Sequence, residues 1–552
     1  MGIYSTVESG TKSYRSRFHK SISYTKHYDC DFGKCIPVLE KFVLPGDIWK
    51  IGGECLVRFL PMVSPSFTPN KFKVRYFFVP LRLIEKDAEL IITGSKEGHL
   101  FTGTLPEFKN FVADADKVNH PNAYKVAKHS IYDYFGIPLG DYENIKNDKC
   151  LPAQYWLKAY YRVLWDYYWD ENISAVRQLY TDFDDFWDTY KTLGADINPS
   201  NVELPKDYFT SSLPWQLKGV APILNVTGIA NFTPQYVSGL FDSLPYSSPA
   251  ASENLLMQKN GLGGGHLVVE NDSNVHEYYK TVNSEIRNYL QQNQQVSMTG
   301  LGFNADDLRT MMAQTRQFER LARCGSRYTE YLKANFGVAP ADDTLQRAQY
   351  LGGWSLPILT TEVLQTAEDG SNPVGTMRGH GITRGGNKIQ TFFAKEFGVI
   401  IGIAHILPKI QYTQGIKKEL SYKSRFDFFN PSFQHLSEQE VRNGELFISF
   451  TDGKNDDTFG FQAYANELRS SNDLIVGDLR DTLSYWNQGI HFSSRPNLNN
   501  AFIDSSSYSA NFNQCFVQSA AGSPNCIVDF YNDLDVYRPM VRYSTPGLVD
   551  HL

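Results

Sequence analysis

Residues 71–80 read KFKVRYFFVP, and this stretch decides the fold class. Apolar residues stand at every second position and alternate with basic ones, so one side of the segment is apolar and the other is charged. A period of two is the pattern of a half-buried β-strand, which Pro80 ends. The apolar members of the pattern are Phe72, Val74, Tyr76 and Phe78.

Shorter apolar runs on both sides of this stretch predict more strands. They are separated by turn residues, notably Pro45-Gly46-Asp47 and Gly52-Gly53. Between the two groups of runs, a proline followed by dense aromatic residues predicts a helix over 152–179. Apolar residues three and four positions apart predict a second helix over 305–335, with Gly337 just beyond it. The chain is therefore predicted to be mainly β, interrupted by helices and loops. The predicted strands are 36–43, 48–51, 55–60, 71–80, 391–407, 445–450 and a segment near the C-terminus.

The composition is that of a folded protein with large buried surfaces. Aromatic residues make up 14% of the 552 residues, which favours sheets and extended interfaces over a compact helical enzyme. The seven cysteines are odd in number and scattered, so we expect free thiols in a reducing cytoplasm. We find neither a signal-peptide pattern nor an apolar run long enough to span a bilayer, and we expect a soluble protein without membrane insertion.

The charge distribution singles out the N-terminal segment. The whole chain carries a formal charge of −7, which is the wrong sign for a dedicated nucleic-acid binder. Residues 1–28 are instead basic and rich in Ser, Thr and Tyr, and they show no helical or strand periodicity. We interpret 1–28 as an extended arm that contacts nucleic acid, because flexible cations reach phosphates without a fixed fold. The predicted contact residues are Lys12, Arg15, Arg17 and Lys20.

The stretch 211–258 has few charges and is rich in Pro, Ser, Gly and apolar residues. Its only charged residues are Lys218, Asp242 and Glu253. A surface segment of this length with so few charges is expected to be covered, and another copy of the chain is the simplest cover.

The sequence does not indicate catalytic chemistry. It contains no phosphate-binding loop, nucleophile elbow, HExxH or paired CxxC motif, and its histidines lack ligand spacing. We therefore predict no catalytic residue, no cofactor and no metal site. Four arginines on one side of the second predicted helix could bind phosphates, but nearby glutamates favour structural ion pairs. They are Arg316, Arg320, Arg323 and Arg327.

Several segments in their order along the chain resemble the major capsid proteins of the Microviridae, especially the gokushovirus-like tailless phages with single-stranded DNA. The likeness begins at 43–47 (VLPGD) and covers nearly the whole chain. Its most recognisable part is 207–219, which contains DYFT, LPW and KG. Further segments are 58–62, 76–80, 157–172, 325–330, 336–338, 345–353, 398–402, 459–467, 538–540 and 546–551.

The resemblance implies an eight-stranded viral jelly roll with long helix- and loop-containing insertions. On this basis 29–552 is one capsid domain, and 216–304 is an insertion that forms a protrusion at the threefold axis and can contact the bacterial host. Sixty copies would form a T = 1 shell around circular single-stranded DNA. The implied partners are further copies of the chain, the genome, a small basic packaging protein and a pilot protein, with assembly in the host cytoplasm and residence in the virion.

Two other functions remain open from the residues alone. A secreted or tail-associated β-rich protein that binds or cleaves glycans would share the aromatic and β-rich composition, although cleavage requires paired carboxylates in a cleft. A single-stranded DNA-binding protein acting outside a virion would use the basic arm, although the net charge opposes it. Particles in a micrograph would separate both from a capsid protein.

Overall fold

The structure is a computed structural model. It describes residues 18–93, 107–195, 197–219, 222, 227–231, 255–259, 265–269, 297–302, 305–324, 327–342, 344–364, 377–433, 438–517 and 524–540. The chain divides into two compact units, one of Met1–Lys218 with Glu319–Leu552 and the other of Gly219–Phe318.

The strands in chain order are β1 (Phe18–Ser21), β2 (Tyr24–Cys30), β3 (Ile36–Val43), β4 (Ile48–Phe59), β5 (Asn70–Pro80), β6 (Lys125–Val126), β7 (Gly140–Asp141), β8 (Thr227–Asn231), β9 (Leu255–Lys259), β10 (Gly265–Val269), β11 (Ser297–Gly302), β12 (Gln349–Leu364), β13 (Met377–Phe393), β14 (Gly398–Pro408), β15 (Gln411–Tyr412), β16 (Glu438–Arg442), β17 (Thr458–Ala463), β18 (Asp473–Leu474) and β19 (Cys526–Arg538). The α-helices are α1 (Ala88–Thr93), α2 (Ile131–Tyr134), α3 (Tyr155–Val163), α4 (Ala175–Leu179), α5 (Phe183–Tyr190), α6 (Ala305–Cys324), α7 (Tyr328–Phe336), α8 (Asn443–Leu446), α9 (Asn500–Ile503) and α10 (Ser509–Asn513).

Eight long strands of the first unit form two antiparallel sheets of four strands each. One has the order β2-β19-β4-β13 and the other β3-β14-β5-β12. Strands that follow one another in the chain alternate between the sheets, except that β5 and β12 lie in the same one. The outer half of β12 also pairs with β13 and joins the two sheets. This double-sheet arrangement confirms the predicted jelly roll with insertions.

Aromatic side chains fill the space between the two sheets. Trp354 of β12 stacks on Phe530 of β19 with ring centroids 6.1 Å apart, and Phe72 of β5 also lies 6.1 Å from Phe530. The sheets approach closely at Gly53, where an added Cβ would lie 2.7 Å from the Tyr76 hydroxyl. A side chain at this position would therefore separate the sheets.

The stretch 71–80 forms β5 almost as predicted, and its four alternating apolar residues are buried in the core. The other face of the strand is basic only at its beginning. Further along, Phe77 and Val79 are buried too, because the segment 155–168, which contains α3, covers this face. Helix α3 contacts β5 and β14, and the ring of Tyr167 packs 4.8 Å from that of Phe77. The predicted aromatic helix is therefore a cover for the second sheet.

Two strand predictions were wrong. The segments 48–51 and 55–60 are a single strand, β4, in which Gly52 and Gly53 do not make a turn and Gly53 leaves room for the side chains of Tyr76 and Phe530. The predicted strand at 445–450 is not formed. Instead, α8 ends at Leu446 and loop residues follow, because the side chain of Glu445 caps the helix at the backbone N–H of Arg442 (2.9 Å).

The two long predicted helices are each divided. The segment 152–179 contains α3, a π-helical turn at Leu164–Tyr168 and the separate helix α4. The segment 305–335 contains α6 and α7, with Gly325 in the two residues between them that lie outside the described part. Gly337 follows α7 as predicted, and its N–H donates to the carbonyl of Lys333 (3.0 Å).

The C-terminal part of the predicted arm is folded. Strands β1 and β2 occupy 18–21 and 24–30, and both pair with the same edge of β19. The sequence alternation there is weak because Lys26 occupies an inward position between Tyr24 and Tyr28. Its ammonium donates to the carbonyl of Pro37 (2.9 Å) and to Glu40 (3.1 Å). Residues 1–17 lie outside the described residues, so the arm itself stays a prediction.

The second unit contains two small antiparallel ladders, β8 with β11 and β9 with β10. Both ladders lie within the predicted insertion 216–304, whose role as a protrusion stays a prediction. In the described part of the chain, no helix has the length and apolar character that a membrane span requires.

Candidate functional site

The surface of the first unit carries four exposed apolar residues within ten positions of the loop between β15 and β16. Leu420, Phe426 and Phe428 are 79%, 61% and 57% exposed, and Phe429 is also exposed. Large apolar side chains that lie close together on a surface mark interaction sites. We call these four residues the phenylalanine patch.

Backbone hydrogen bonds fix the loop that presents the phenylalanine patch. Asp427 accepts from the N–H groups of Lys423 (2.8 Å) and Ser424 (2.6 Å), and these bonds lower the pKa of its carboxyl. Asn430 accepts from the N–H of Ser432 (2.9 Å) in the same way. Such local bonds are how Asp and Asn hold turns. The aromatic side chains are therefore displayed by an ordered loop.

Ring contacts fasten the patch to the rest of the unit. Tyr422 lies edge-on to Phe428 at 5.6 Å, and its hydroxyl donates to Glu467 (2.8 Å). Phe429 lies 5.9 Å from Tyr464 next to β17. The Arg425 guanidinium lies 4.5 Å above the ring of Phe426. The exposed faces that remain can pack against another surface without rearrangement of the loop.

The surroundings of the phenylalanine patch are mainly basic. Four cations, Lys417, Lys418, Lys423 and Arg425, lie within nine residues of the same loop, with Glu419 and Asp427 as the acids. Aromatic and arginine side chains are enriched at the centres of protein interfaces, and a charged rim selects a partner of opposite charge. The arrangement suits a partner surface that is apolar at its centre and acidic around it.

Sequence reasoning missed this patch, although a signal was present. The segment 425–433 reads RFDFFNPSF, which places four phenylalanines in nine residues with a proline and turn formers. Such a segment cannot bury all its rings within its own short loop. An aromatic cluster in a predicted loop was therefore evidence of a contact surface.

Only one of the four predicted nucleic-acid contacts lies in the described residues. Lys20 is exposed on β1, where it pairs with Val536 of β19. Next to it, His19 stacks on Tyr537 with ring centroids 4.1 Å apart. Lys12, Arg15 and Arg17 lie outside the described residues, so the contact of the four with nucleic acid stays a prediction.

Two of the four arginines of the second predicted helix form the expected ion pairs. Arg323 contacts Glu438 at 2.5 Å, and Arg327 contacts Glu171 at 2.9 Å. Arg316 and Arg320 are exposed on α6. Among the side chains that the structure describes, no three His, Cys, Asp or Glu residues are grouped as a metal site.

The comparisons with known proteins agree with the jelly-roll fold. The family model described as "Capsid protein (F protein)" matches residues 5–548. The capsid protein VP1 of Chlamydia phage 1 is 29% identical over 596 aligned positions, which cover 97% of this chain and 96% of the relative. The VP1 proteins of Bdellovibrio phage phiMH2K and Spiroplasma virus 4 are 28% and 26% identical, over 97% and 94% of this chain and 95% and 92% of their own lengths. The chain belongs to the capsid protein (F protein) family of the Microviridae.

Proposed function

We propose that this chain is the major capsid subunit of a virion and that sixty copies form a closed T = 1 shell around circular single-stranded DNA. The observation that carries the proposal is the phenylalanine patch on a jelly roll of the capsid family. An exposed apolar surface of this kind needs a cover, and closed symmetry gives every copy the same one. The role is structural, and the glycan-binding alternative has no comparable support.

Particle formation tests the proposal directly. Sixty copies of the 62.7 kDa chain give a particle of about 4 MDa. Sedimentation velocity of the purified protein, with its partner proteins if they are needed, is expected to show one fast boundary, and negative-stain micrographs are expected to show hollow particles of one size. A chain that stays monomeric under virion-like salt and pH would overturn the proposal.

The basic arm is proposed to hold the genome inside the shell. Replacement of Lys12, Arg15, Arg17 and Lys20 by Ala is expected to leave particle assembly intact but to lower the nucleic acid retained per particle. The negative slope of log affinity for single-stranded DNA against log salt concentration should become shallower by about 3. Each of the four lost phosphate contacts contributes about 0.7 to this slope. The ratio of absorbance at 260 and 280 nm across the particle peak measures retention.

A matched variant separates the arm from general charge. Lys125, Lys128, Lys146 and Lys149 are exposed lysines between β5 and β8, and their replacement by Ala removes the same charge. This variant is expected to retain DNA like the unmodified chain. Equal retention by both variants would remove the proposed role of the arm.

The remaining parts of the proposal concern the insertion and the partners. The insertion 216–304 is proposed to form the threefold protrusion, to bury its weakly charged beginning against other copies and to contact the bacterial host. The shell is proposed to assemble in the host cytoplasm with a small basic packaging protein and a pilot protein. Deletion of 219–318, the second compact unit, is the variant that examines this role.

A further inference from the structure

A cavity of about 580 Å³ opens on the covered face of the second sheet. Strands β5 and β14 form its floor, and the segments 167–173 and 202–206 form its walls. All of its lining residues belong to the first unit. This volume lies in the range of sites that bind small molecules.

One end of the cavity carries two cations on the same face of β5. Lys73 and Arg75 are half-buried, and no carboxylate within the described residues forms an ion pair with either. The Arg75 guanidinium lies 5.4 Å from the centre of the Tyr168 ring. Burial and the positive charges of Arg75 and Lys71 lower the pKa of Lys73. The folded chain therefore keeps two positively charged side chains here, although burial and the repulsion between them are unfavourable.

The carboxylates that line the same cavity are occupied by other groups. Asp170 accepts from Lys206, and Glu171 pairs with Arg327. Glu203 accepts from the N–H of Asp170 (2.6 Å), and burial raises the pKa of its carboxyl to about 8, so it is mostly protonated at neutral pH. None of these groups neutralises Lys73 or Arg75.

His405 adds a buried polar group that has no hydrogen-bond partner. It stands opposite Lys73 in the register of β14 and β5, and its side chain lines the cavity. The residue is 7% exposed, and its Nδ1 atom has no partner. Burial, Lys73 and Arg75 lower the pKa of the imidazole to about 3, so it is neutral and can donate one hydrogen bond. A buried polar atom without a partner is rare and indicates a missing ligand or water.

We infer that this end of the cavity binds a phosphate group of a small molecule through Lys73, Arg75 and His405. A phosphate group carries about −1.5 to −2 charges near neutral pH and so matches the two unpaired cations. Arg and Lys are the usual phosphate ligands, and partial enclosure strengthens their attraction for an anion. Inorganic phosphate and mononucleotides both present this group.

The binding of inorganic phosphate to the purified full-length chain tests the inference. Calorimetric titration at constant ionic strength is expected to show one site per chain. The variants Lys73→Met and Arg75→Met keep the apolar stems and are expected to weaken the affinity about tenfold or more, because each removes a charge-assisted hydrogen bond. Lys71→Met removes the same charge from an exposed position of β5 outside the cavity and is expected to change the affinity less than about twofold.

Two further probes identify the source of the phosphate group. Thymidine monophosphate is expected to bind at the same site and to compete with inorganic phosphate, with the same loss in Arg75→Met. Binding of only an oligodeoxythymidylate would overturn the small-molecule site and assign the cations to the DNA backbone. Phosphate binding that is absent, or equal in Arg75→Met and the unmodified chain, would also overturn the inference. These binding results do not depend on whether shells form. A failure of this inference is therefore distinguishable from a failure of the proposed capsid function.

Discussion

Replacement of Phe426 and Phe428 by Ser is expected to give folded subunits that no longer form particles. Both rings are exposed in the isolated chain, so their loss removes little from its own core. In a contact between copies, truncation of a central aromatic residue costs about 2 kcal/mol or more. Two such losses lower the association constant of each contact by about a thousandfold. Since every copy in a closed shell carries the change, assembly should fail.

Sedimentation velocity measures the loss of particles, and circular dichroism with thermal melting measures the fold. The control is Leu179→Ser, which truncates a residue that is 75% exposed at the end of α4. The control should form particles like the unmodified chain. Particles of normal size and yield from the Phe426→Ser/Phe428→Ser chain would show that the phenylalanine patch faces solvent in the shell.

The strands of the jelly roll were predictable where one face of a strand meets the core and the other meets solvent. The alternation at 71–80 identified β5, because Phe72, Val74 and Tyr76 lie between the sheets and Lys71 is exposed. Apolar runs between turn residues identified β3 and the strand near the C-terminus, β19. The pattern weakens at Phe77 and Val79, where a covering insertion buries both faces of the strand.

The errors of prediction occurred where tertiary contacts override local patterns. Glycines at 52 and 53 suggested a turn, but β4 passes through them because Tyr76 and Phe530 occupy the space above Gly53. The strand β2 escaped notice because Lys26 points inward and pairs with Glu40, which lies on the separate strand β3. No local pattern reports such a partner.

The candidate surfaces were only partly predictable. The basic arm was evident from its composition, whereas the phosphate cavity depends on β5 and β14, which are about 330 residues apart in sequence but adjacent in the sheet. Lys73 and Arg75 had been recognised only as the polar side of a strand. Their lack of a carboxylate partner depends on how the segments 167–173 and 202–206 fold over the sheet.

Replacement of Asp47 by Ala is expected to destabilise the first unit by about 3–5 kcal/mol, as found when one partner of a buried ion pair is removed. The Asp47 side chain is fully buried at the turn between β3 and β4, which Gly46 forms with a φ of 88°. One carboxylate oxygen accepts from the N–H of Leu44 (3.0 Å) and the indole of Trp49 (3.2 Å), and it lies 3.3 Å from Nε of Arg538. Alanine leaves the N–H of Leu44 and the indole of Trp49 without their acceptor, and the guanidinium of Arg538 without its ionic partner.

The contact of Asp47 with Arg538 joins two distant parts of the chain. Arg538 ends β19, and its guanidinium also donates to the carbonyl of Phe42 (2.8 Å). Equilibrium unfolding in urea measures the free energy of unfolding. Glu54→Ala is the control, because Glu54 is an exposed acid on β4 and its loss should change stability by about 0.5 kcal/mol or less. Equal free energies of unfolding for Asp47→Ala and Glu54→Ala would contradict a stabilising contact between Asp47 and Arg538.

Replacement of Asp47 by Asn separates the hydrogen bonds from the charge. The amide oxygen of Asn can still accept from Leu44 and Trp49, so only the ionic contact with Arg538 is lost. Burial raises the pKa of the Asp47 carboxyl, and the N–H of Leu44, the charge of Arg538 and the indole of Trp49 lower it, so burial opposes the charged form. Asn avoids that cost, and its variant should lose about 1–2 kcal/mol, less than Ala. An Asn variant as unstable as the Ala variant would mean that the charge, and not the pair of accepted hydrogen bonds, holds the first turn of the barrel to its last strand.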